Sequence, residues 1–165
     1  IDMMPSIELR AHALSSKAAP YSPHRDAPVP GDNIGVLITD RTTDRTTDQA
    51  AGKRVFYAPG LGEITPALFD LMAGADAVLV DGTFWTNDEM IAMGLSTKTA
   101  RDIGHLPQSG AGGMIEWLDK LPRATRRLLI HINNTNPILD EDSEQRAELA
   151  RHGIEVCEDG MTLEL

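Results

Sequence analysis

Apolar residues in the first third of the chain fall in short runs. Residues 6–14 alternate weakly between apolar and polar side chains, and residues 33–39 and 53–58 are compact apolar runs. Runs of this length and spacing predict strands. The second and third runs, joined by a polar stretch, are typical of an antiparallel pair.

After Tyr57 the apolar spacing changes to an alternation of helices and strands. Thr65 can cap a helix that has Pro66 at its first position. Asp142 with Gln145 resembles a capping box further along. The other predicted elements are strands over 76–80, 127–131, 154–157 and 161–165, and helices around 88–93, 96–104, 114–121 and 143–152. Strands that alternate with helices predict an α/β fold with a mainly parallel sheet, covered on at least one face.

Two loops interrupt this pattern. Residues 15–32 contain four prolines and little periodicity, and a loop of that length in a compact domain is often functional. Residues 39–48 repeat the polar unit TDRT. This low-complexity stretch predicts an exposed hairpin loop without a function of its own.

The charge balance narrows the range of partners. The chain has 165 residues, with 15 basic and 25 acidic side chains and a net charge of −10. We therefore expect neither nucleic acid nor an anionic membrane surface as its main partner. No apolar run approaches the ~18 residues of a membrane helix. The one cysteine, Cys157, excludes an intrachain disulfide, so a cytoplasmic location is expected.

The strand over 127–131 ends in the unusual segment LLIHINNTNPIL. His131 ends the apolar run, and Asn133, Asn134 and Asn136 follow it. A histidine at this position is either hydrogen-bonded in the core or a metal ligand or acid–base group, and the residues alone leave both interpretations open. The amides need hydrogen-bond partners, which a binding site or a tight turn supplies.

Asp81 and His105 are further candidates. Asp81 follows the strand over 76–80, so in a parallel sheet it opens onto the same edge as His131. It is otherwise a cap for the next turn. The glycines around His105 either let the backbone approach a ligand or merely connect elements. Histidines and a carboxylate that converge at strand ends suit a first-row metal.

Several short motifs together resemble one family. They are PYSPHR, GDNIG, FYAPGLG, VDGTFW, GHLPQSG, HINNTNPIL and DGM. From about Ala19 to Leu165 the chain resembles the coenzyme PQQ synthesis protein B family. The resemblance implies a metallo-β-lactamase-like αββα sandwich. Residues 1–165 would be its C-terminal half, with the N-terminal half of the same protein as the missing partner and residues 15–32 as an active-site loop.

The resemblance also implies roles for individual residues. His24 and His131 match metal-ligand histidines of the superfamily. The aspartate that bridges two metals in the superfamily's hydrolases would fall at Gly60, where there is no carboxylate. This predicts one divalent metal rather than two, because a bridging carboxylate holds such pairs together. Asp81 and His105 match an acid–histidine pair that assists proton transfer.

Three functions remain open on this basis. The first is an enzyme of PQQ biosynthesis. It would use one metal, with iron favoured and zinc as the alternative, to hydroxylate the tyrosine of a Glu–Tyr precursor derived from the PqqA peptide. Asn133, Asn134 and Asn136 would shape its substrate pocket. The second is a carrier of PQQ or its precursor to the periplasm. The third, a zinc-dependent hydrolase, is least favoured because of Gly60. The oligomeric state does not follow from the sequence.

Overall fold

A computed structural model describes residues 6–19, 21–25, 27–41 and 52–165, and the strands of this part of the chain form one mixed sheet. The strands lie side by side in chain order. Their bounds are β1 Ile7–Ala13, β2 Ile34–Asp40, β3 Arg54–Ala58, β4 Ala77–Asp81, β5 Arg126–Ile130 and β6 Ile154–Val156.

The sheet changes from antiparallel to parallel pairing at β3. β1 pairs with β2 and β2 with β3 in antiparallel fashion, whereas β3, β4, β5 and β6 pair in parallel. This agrees with the predicted antiparallel start and mainly parallel remainder. Because Asp81 lies opposite Ile130 in the β4–β5 register, the residues that follow both strands meet at one edge of the sheet.

Short helices accompany the parallel strands. In the described residues they are α1 Pro66–Ala73, α2 Glu89–Ala92, α3 Met114–Leu118 and α4 Glu144–Arg151, with 3₁₀ turns at Arg101–Ile103 and Pro137–Leu139. Thr65 caps α1 as predicted, and its side chain accepts the N–H of Leu68. None of the helices in the described ranges is long and apolar enough to cross a bilayer.

An apolar core joins these helices to the sheet. Leu68 of α1 and Leu118 of α3 belong to the same buried cluster as Phe56 of β3 and Leu129 of β5. The opposite face of the sheet is more open, since Tyr57 of β3 is 40% exposed while the neighbouring Phe56 is fully buried. An open apolar face of this kind is what a sandwich half would present to a second layer.

Two predicted strands differ from the structure. The strand predicted over 127–131 ends at Ile130, because His131 adopts left-handed backbone with φ 56°. Residues 161–165 form no strand. Gly160, with φ 88°, turns the chain there, and the N–H of Met161 donates to the carbonyl of Glu158. The loop predicted over 39–48 lies mostly outside the described residues.

The capping box predicted at Asp142 is wrong. Ser143 is the N-cap of α4, and its hydroxyl accepts the N–H of Arg146 at 3.1 Å. Asp142 lies one residue too early, and its N–H donates to the carboxylate of Asp140. Both Ser and Asp are good caps, so residue type alone did not distinguish the two positions.

Ser143→Ala is expected to lower the free energy of unfolding by about 1 kcal/mol, because α4 loses the acceptor for its first turn. The matched substitution Asp142→Ala should change it by less than about 0.5 kcal/mol. Chemical denaturation of the two variants measures the difference. An equal or larger loss for Asp142→Ala would contradict the assigned cap.

Candidate functional site

Asp81 ends β4 with a carboxylate that is 0% exposed. One of its oxygens accepts the N–H and the hydroxyl of Thr83, at 2.9 and 2.5 Å. The other accepts the N–H of Leu61 at 2.8 Å and lies 2.6 Å from Nδ1 of His105. An ionised carboxylate has about four lone-pair positions. These four contacts occupy them, which compensates the burial of the charge.

His131 directly follows β5 and lies beside this carboxylate. In the described residues it is the one non-glycine residue with positive φ, at 56°. Left-handed backbone costs energy in a residue with a Cβ, and such strain clusters at functional sites. Nδ1 and the backbone carbonyl of His131 lie 2.8 and 3.0 Å from Oγ1 of Thr83. The strained turn therefore presents an exposed imidazole held at one nitrogen.

His105 reaches the site from the turn after Gly104. Gly104 has φ 94°, and a Cβ there would lie 2.8 Å from the backbone nitrogen of Lys17. Only glycine permits this close approach of the Pro-rich loop to the turn. The ring of His105 stacks on that of His131, with centroids 5.5 Å apart and planes inclined by 14°.

Asp81, His105 and His131 form a candidate metal-binding cluster. Each offers a ligand atom within 4.8 Å of the others, while bonds of about 2.1 Å place opposite ligands of one ion roughly 4.2 Å apart. Imidazole and carboxylate donors suit iron or zinc. Because the Asp81 oxygens are fully hydrogen-bonded, the available donors are the two imidazoles, with Asp81 orienting His105. Burial raises the pKa of the Cys157 thiol nearby, which disfavours a thiolate ligand.

His24, the other histidine predicted to bind metal, lies outside this cluster. It is exposed in a turn, where its backbone N–H donates to Oγ of Ser22 at 3.1 Å. The structure therefore brings His131 together with Asp81 and His105, not with His24. The role of His24 as a ligand stays a prediction.

The loop that carries His24 nevertheless borders the site. Tyr21 and Arg25 line a cleft of about 550 Å³ together with His105 and His131. Residues of the predicted active-site loop and the two imidazoles therefore line the same cleft.

Gly60 lies on the same cleft, at the position where the resemblance places a bridging aspartate. The side-chain nitrogen of Asn33 donates to the carbonyl of Gly60 at 2.7 Å. A Cβ on Gly60 would lie 3.3 Å from that nitrogen. The side chain beside Gly60 is thus an amide rather than a carboxylate. The expected number of metal ions stays a prediction.

Asn136 connects the loop after β5 to the loop after β4. It is 2% exposed. Its side-chain nitrogen donates to the carbonyl of Gly82 at 2.9 Å and to Oε1 of Gln108 at 3.0 Å, and its oxygen accepts the N–H of Ile138 at 3.1 Å. Both ends of the amide are hydrogen-bonded within the protein, and these contacts favour a structural role over the predicted contact with substrate.

Asn133 and Asn134 differ from Asn136 in their surroundings. Asn133 donates to the hydroxyl of Thr135, which donates to the carboxylate of Glu89. Asn134 is exposed. Their predicted contribution to the substrate pocket stays a prediction.

Three buried polar residues of the site were not predicted from the sequence. They are Thr83, Gln108 and Glu89. A signal for Thr83 was present, since a hydroxyl two residues after a buried carboxylate can hydrogen-bond to it. Glu89 gave none, although its carboxylate accepts from the N–H of Trp85 and from the hydroxyl of Thr135, which lies 46 residues away in sequence.

Comparison with known proteins identifies the class of protein to which this sheet and site belong. Residues 2–132 match the family model described as the β-lactamase superfamily domain, and the chain belongs to that superfamily. Among curated sequences it is similar to coenzyme PQQ synthesis protein B. It is 62% identical to that protein of Azoarcus sp. (strain BH72) over 162 residues, 98% of this chain and 51% of the relative. The chain spans about half the length of the curated relatives that it matches.

Further matches agree. The chain is 53% identical over 165 residues to coenzyme PQQ synthesis protein B of Pseudomonas entomophila (strain L48), covering 100% of this chain and 52% of the relative. The crystal structure of Zn²⁺-bound PqqB from Methylobacterium extorquens matches with a TM-score of 0.84 and 34% identity, covering 100% of this chain and 52% of that one. The resemblance and the metallo-β-lactamase fold predicted from the motifs are confirmed.

Asn136→Ala is expected to destabilise the protein by about 1–3 kcal/mol, because buried polar groups around Gly82 and Gln108 lose their donor. Asn134→Ala, on an exposed neighbour, should change stability by less than about 0.5 kcal/mol. The free energies of unfolding of both variants measure this. Equal effects would contradict the structural role of Asn136.

Proposed function

We propose that the protein acts in PQQ biosynthesis as a metal-dependent oxygenase that hydroxylates the tyrosine of a Glu–Tyr precursor. The observation that carries the proposal is the cluster of Asp81, His105 and His131 at the edge of a cleft. The 62% identity to a PQQ synthesis protein supports the pathway. The amide beside Gly60 supports an assignment to one-metal chemistry rather than two-metal hydrolysis.

Both imidazoles contact the hydroxyl of Thr83, but only His105 also contacts the carboxylate of Asp81, and this difference divides their roles. His105 is backed by the carboxylate of Asp81 at 2.6 Å, and a carboxylate stabilises the imidazolium that forms when a histidine accepts a proton. His131 is backed by the hydroxyl of Thr83 and is the more exposed of the two. We assign His131 as the ligand that holds the metal and His105 as the base that accepts the phenolic proton.

Iron bound at His131 would supply the activation of dioxygen. In the overall reaction one oxygen atom would be inserted into the ring C–H bond beside the phenol, and the other would become water with two electrons and two protons from an external reductant. His105 removes the phenolic proton, which raises the electron density of the ring. The cleft wall on the Pro-rich loop positions the ring against the two histidines.

Arg25 gives this cleft a cation for an acidic substrate. One guanidinium nitrogen donates to the carbonyl of Ala18 at 2.7 Å, which anchors the side chain on the cleft wall. Among the described residues this is its one hydrogen bond, and a guanidinium has five N–H donors. A planar guanidinium suits a carboxylate. A Glu–Tyr precursor carries carboxylates, so we assign Arg25 to their recognition.

Metal content and oxygen uptake separate the assigned roles of the histidines. In the full-length protein reconstituted with iron(II), His131→Ala should reduce the metal from about one ion per chain to near zero. His105→Gln should retain the metal and lose about 10²- to 10⁴-fold of the oxygen uptake with Glu–Tyr and reductant, the usual contribution of a general base. His152→Ala, which removes a histidine of the α4 C-cap, should leave both unchanged.

Other outcomes of that experiment overturn the proposal in defined ways. Two zinc ions per chain in the active protein would favour the hydrolase. Tight binding of the precursor or of PQQ without oxygen uptake would favour the carrier. Loss of metal in His105→Gln would make His105 a ligand rather than the base.

Arg25→Ala is expected to raise KM for the acidic precursor about 10- to 100-fold with little change in kcat, since a charged hydrogen bond to substrate contributes roughly 1.5–3 kcal/mol. Arg123→Ala, on an exposed residue before β5, is the matched control and should leave KM unchanged. Steady-state kinetics measure both. A fall in kcat at constant KM would contradict a role in recognition.

A further inference from the structure

We infer that Thr83 is a positioning residue whose hydroxyl fixes the imidazole of His131, and helps the Asp81 carboxylate to fix that of His105, with hydrogen on Nδ1 and a lone pair on Nε2. Thr83 is 5% exposed, between the two histidines and Asp81. Its Oγ1 lies 2.5 Å from Oδ1 of Asp81, 2.8 Å from Nδ1 of His131 and 3.1 Å from Nδ1 of His105. The tautomers follow from the geometry alone. Only the roles of the two Nε2 lone pairs, as base and as metal ligand, rest on the proposed function.

The position of the hydroxyl proton follows from Asp81. An ionised carboxylate accepts hydrogen bonds and cannot donate them. In the 2.5 Å contact between two oxygens, the proton must therefore come from Thr83. The carbonyl of His131, at 3.0 Å, is the longer and uncharged alternative acceptor. Thr83 thus has no second proton, and toward the imidazoles its oxygen can only accept.

The tautomer of His131 follows from the direction in which the Thr83 hydroxyl donates its proton. Its Nδ1 lies 2.8 Å from an oxygen that has already donated its proton, so Nδ1 must carry the hydrogen. In the neutral ring Nε2 then has a lone pair. The left-handed backbone of His131 holds the ring in this contact. The hydroxyl and the strained turn together therefore set the orientation of the imidazole ring.

His105 receives the same tautomer from two acceptors. Its Nδ1 lies 2.6 Å from Oδ2 of Asp81 and 3.1 Å from Oγ1 of Thr83. Neither atom has a proton to give, so Nδ1 is the donor. Nε2 of the neutral ring has the lone pair that a base needs, as Nε2 of His131 has the one that a metal ligand needs. Thr83 therefore sets the tautomer of His131 and, together with Asp81, that of His105.

Thr83→Val removes the hydroxyl and keeps both the shape of the side chain and the backbone N–H that Asp81 accepts. Thr83→Ser restores a hydroxyl. Thr125→Val is the matched control, because Thr125 is also buried. Its hydroxyl donates to the backbone carbonyl of Ala75, between α1 and β4. Circular dichroism and thermal unfolding identify any variant that fails to fold.

The first measurement is the imidazole ¹⁵N spectrum of the metal-free, full-length protein labelled at histidine, which reports the tautomers directly. We expect hydrogen on Nδ1 for His105 and His131 in the wild type, in Thr83→Ser and in Thr125→Val. In Thr83→Val His131 should populate the tautomer with hydrogen on Nε2. Hydrogen on Nε2 of His131 in the wild type, or unchanged tautomers in Thr83→Val, would overturn the inference.

The second measurement is Zn²⁺ affinity by competition with a chelating dye. Loss of a residue that orients a ligand typically weakens metal binding 10- to 100-fold, and we expect this for Thr83→Val, with near wild-type affinity in Thr83→Ser and Thr125→Val. Equal affinity in Thr83→Val would contradict the positioning role. Correct tautomers together with no oxygen uptake on iron would refute the oxygenase and leave this inference standing.

Discussion

The burial of one negative charge is the constraint on which the site depends. Asp81 has no exposed surface, and an unpaired carboxylate in such a place would cost several kcal/mol or more. The donors that compensate it come from the Gly-rich turn after β3, the segment directly after β4, and the loop that carries His105. The charge therefore holds three separate segments at one edge of the sheet.

The same constraint arranges the chemistry around it. The donors to Asp81 include the hydroxyl of Thr83 and the ring of His105, and Thr83 in turn contacts His131. The carboxylate thus orients the two imidazoles without itself having a lone pair to spare for a metal. Next to this network, Asn136 donates to the carbonyl of Gly82 and so joins the loops after β4 and β5. The strained His131 lies between these two contacts, that of Asn136 and that of Thr83.

The sequence predicts the sheet well because apolar strands and helices have distinct periods, and it predicts Asp81 and His131 as neighbours because parallel strands share an edge. The interactions that span long sequence distances were not visible. The hydroxyl of Thr83 contacts His131, 48 residues away, and the hydroxyl of Thr135 donates to Glu89, 46 residues away. The cap of α4 is assigned wrongly because adjacent Asp and Ser are equally suited to it. The strand predicted over 161–165 is wrong, since Gly160 turns the chain there.

The central proposal is that His131 binds a single metal while Asp81 remains a buried, fully hydrogen-bonded carboxylate. Anomalous diffraction at the iron edge from iron-loaded crystals of the full-length protein tests it most directly. We predict one anomalous peak within about 2.1 Å of Nε2 of His131, with Asp81 still accepting from Leu61 and Thr83. Two peaks roughly 3.5–4 Å apart, or a peak bonded to the Asp81 carboxylate, would contradict the account.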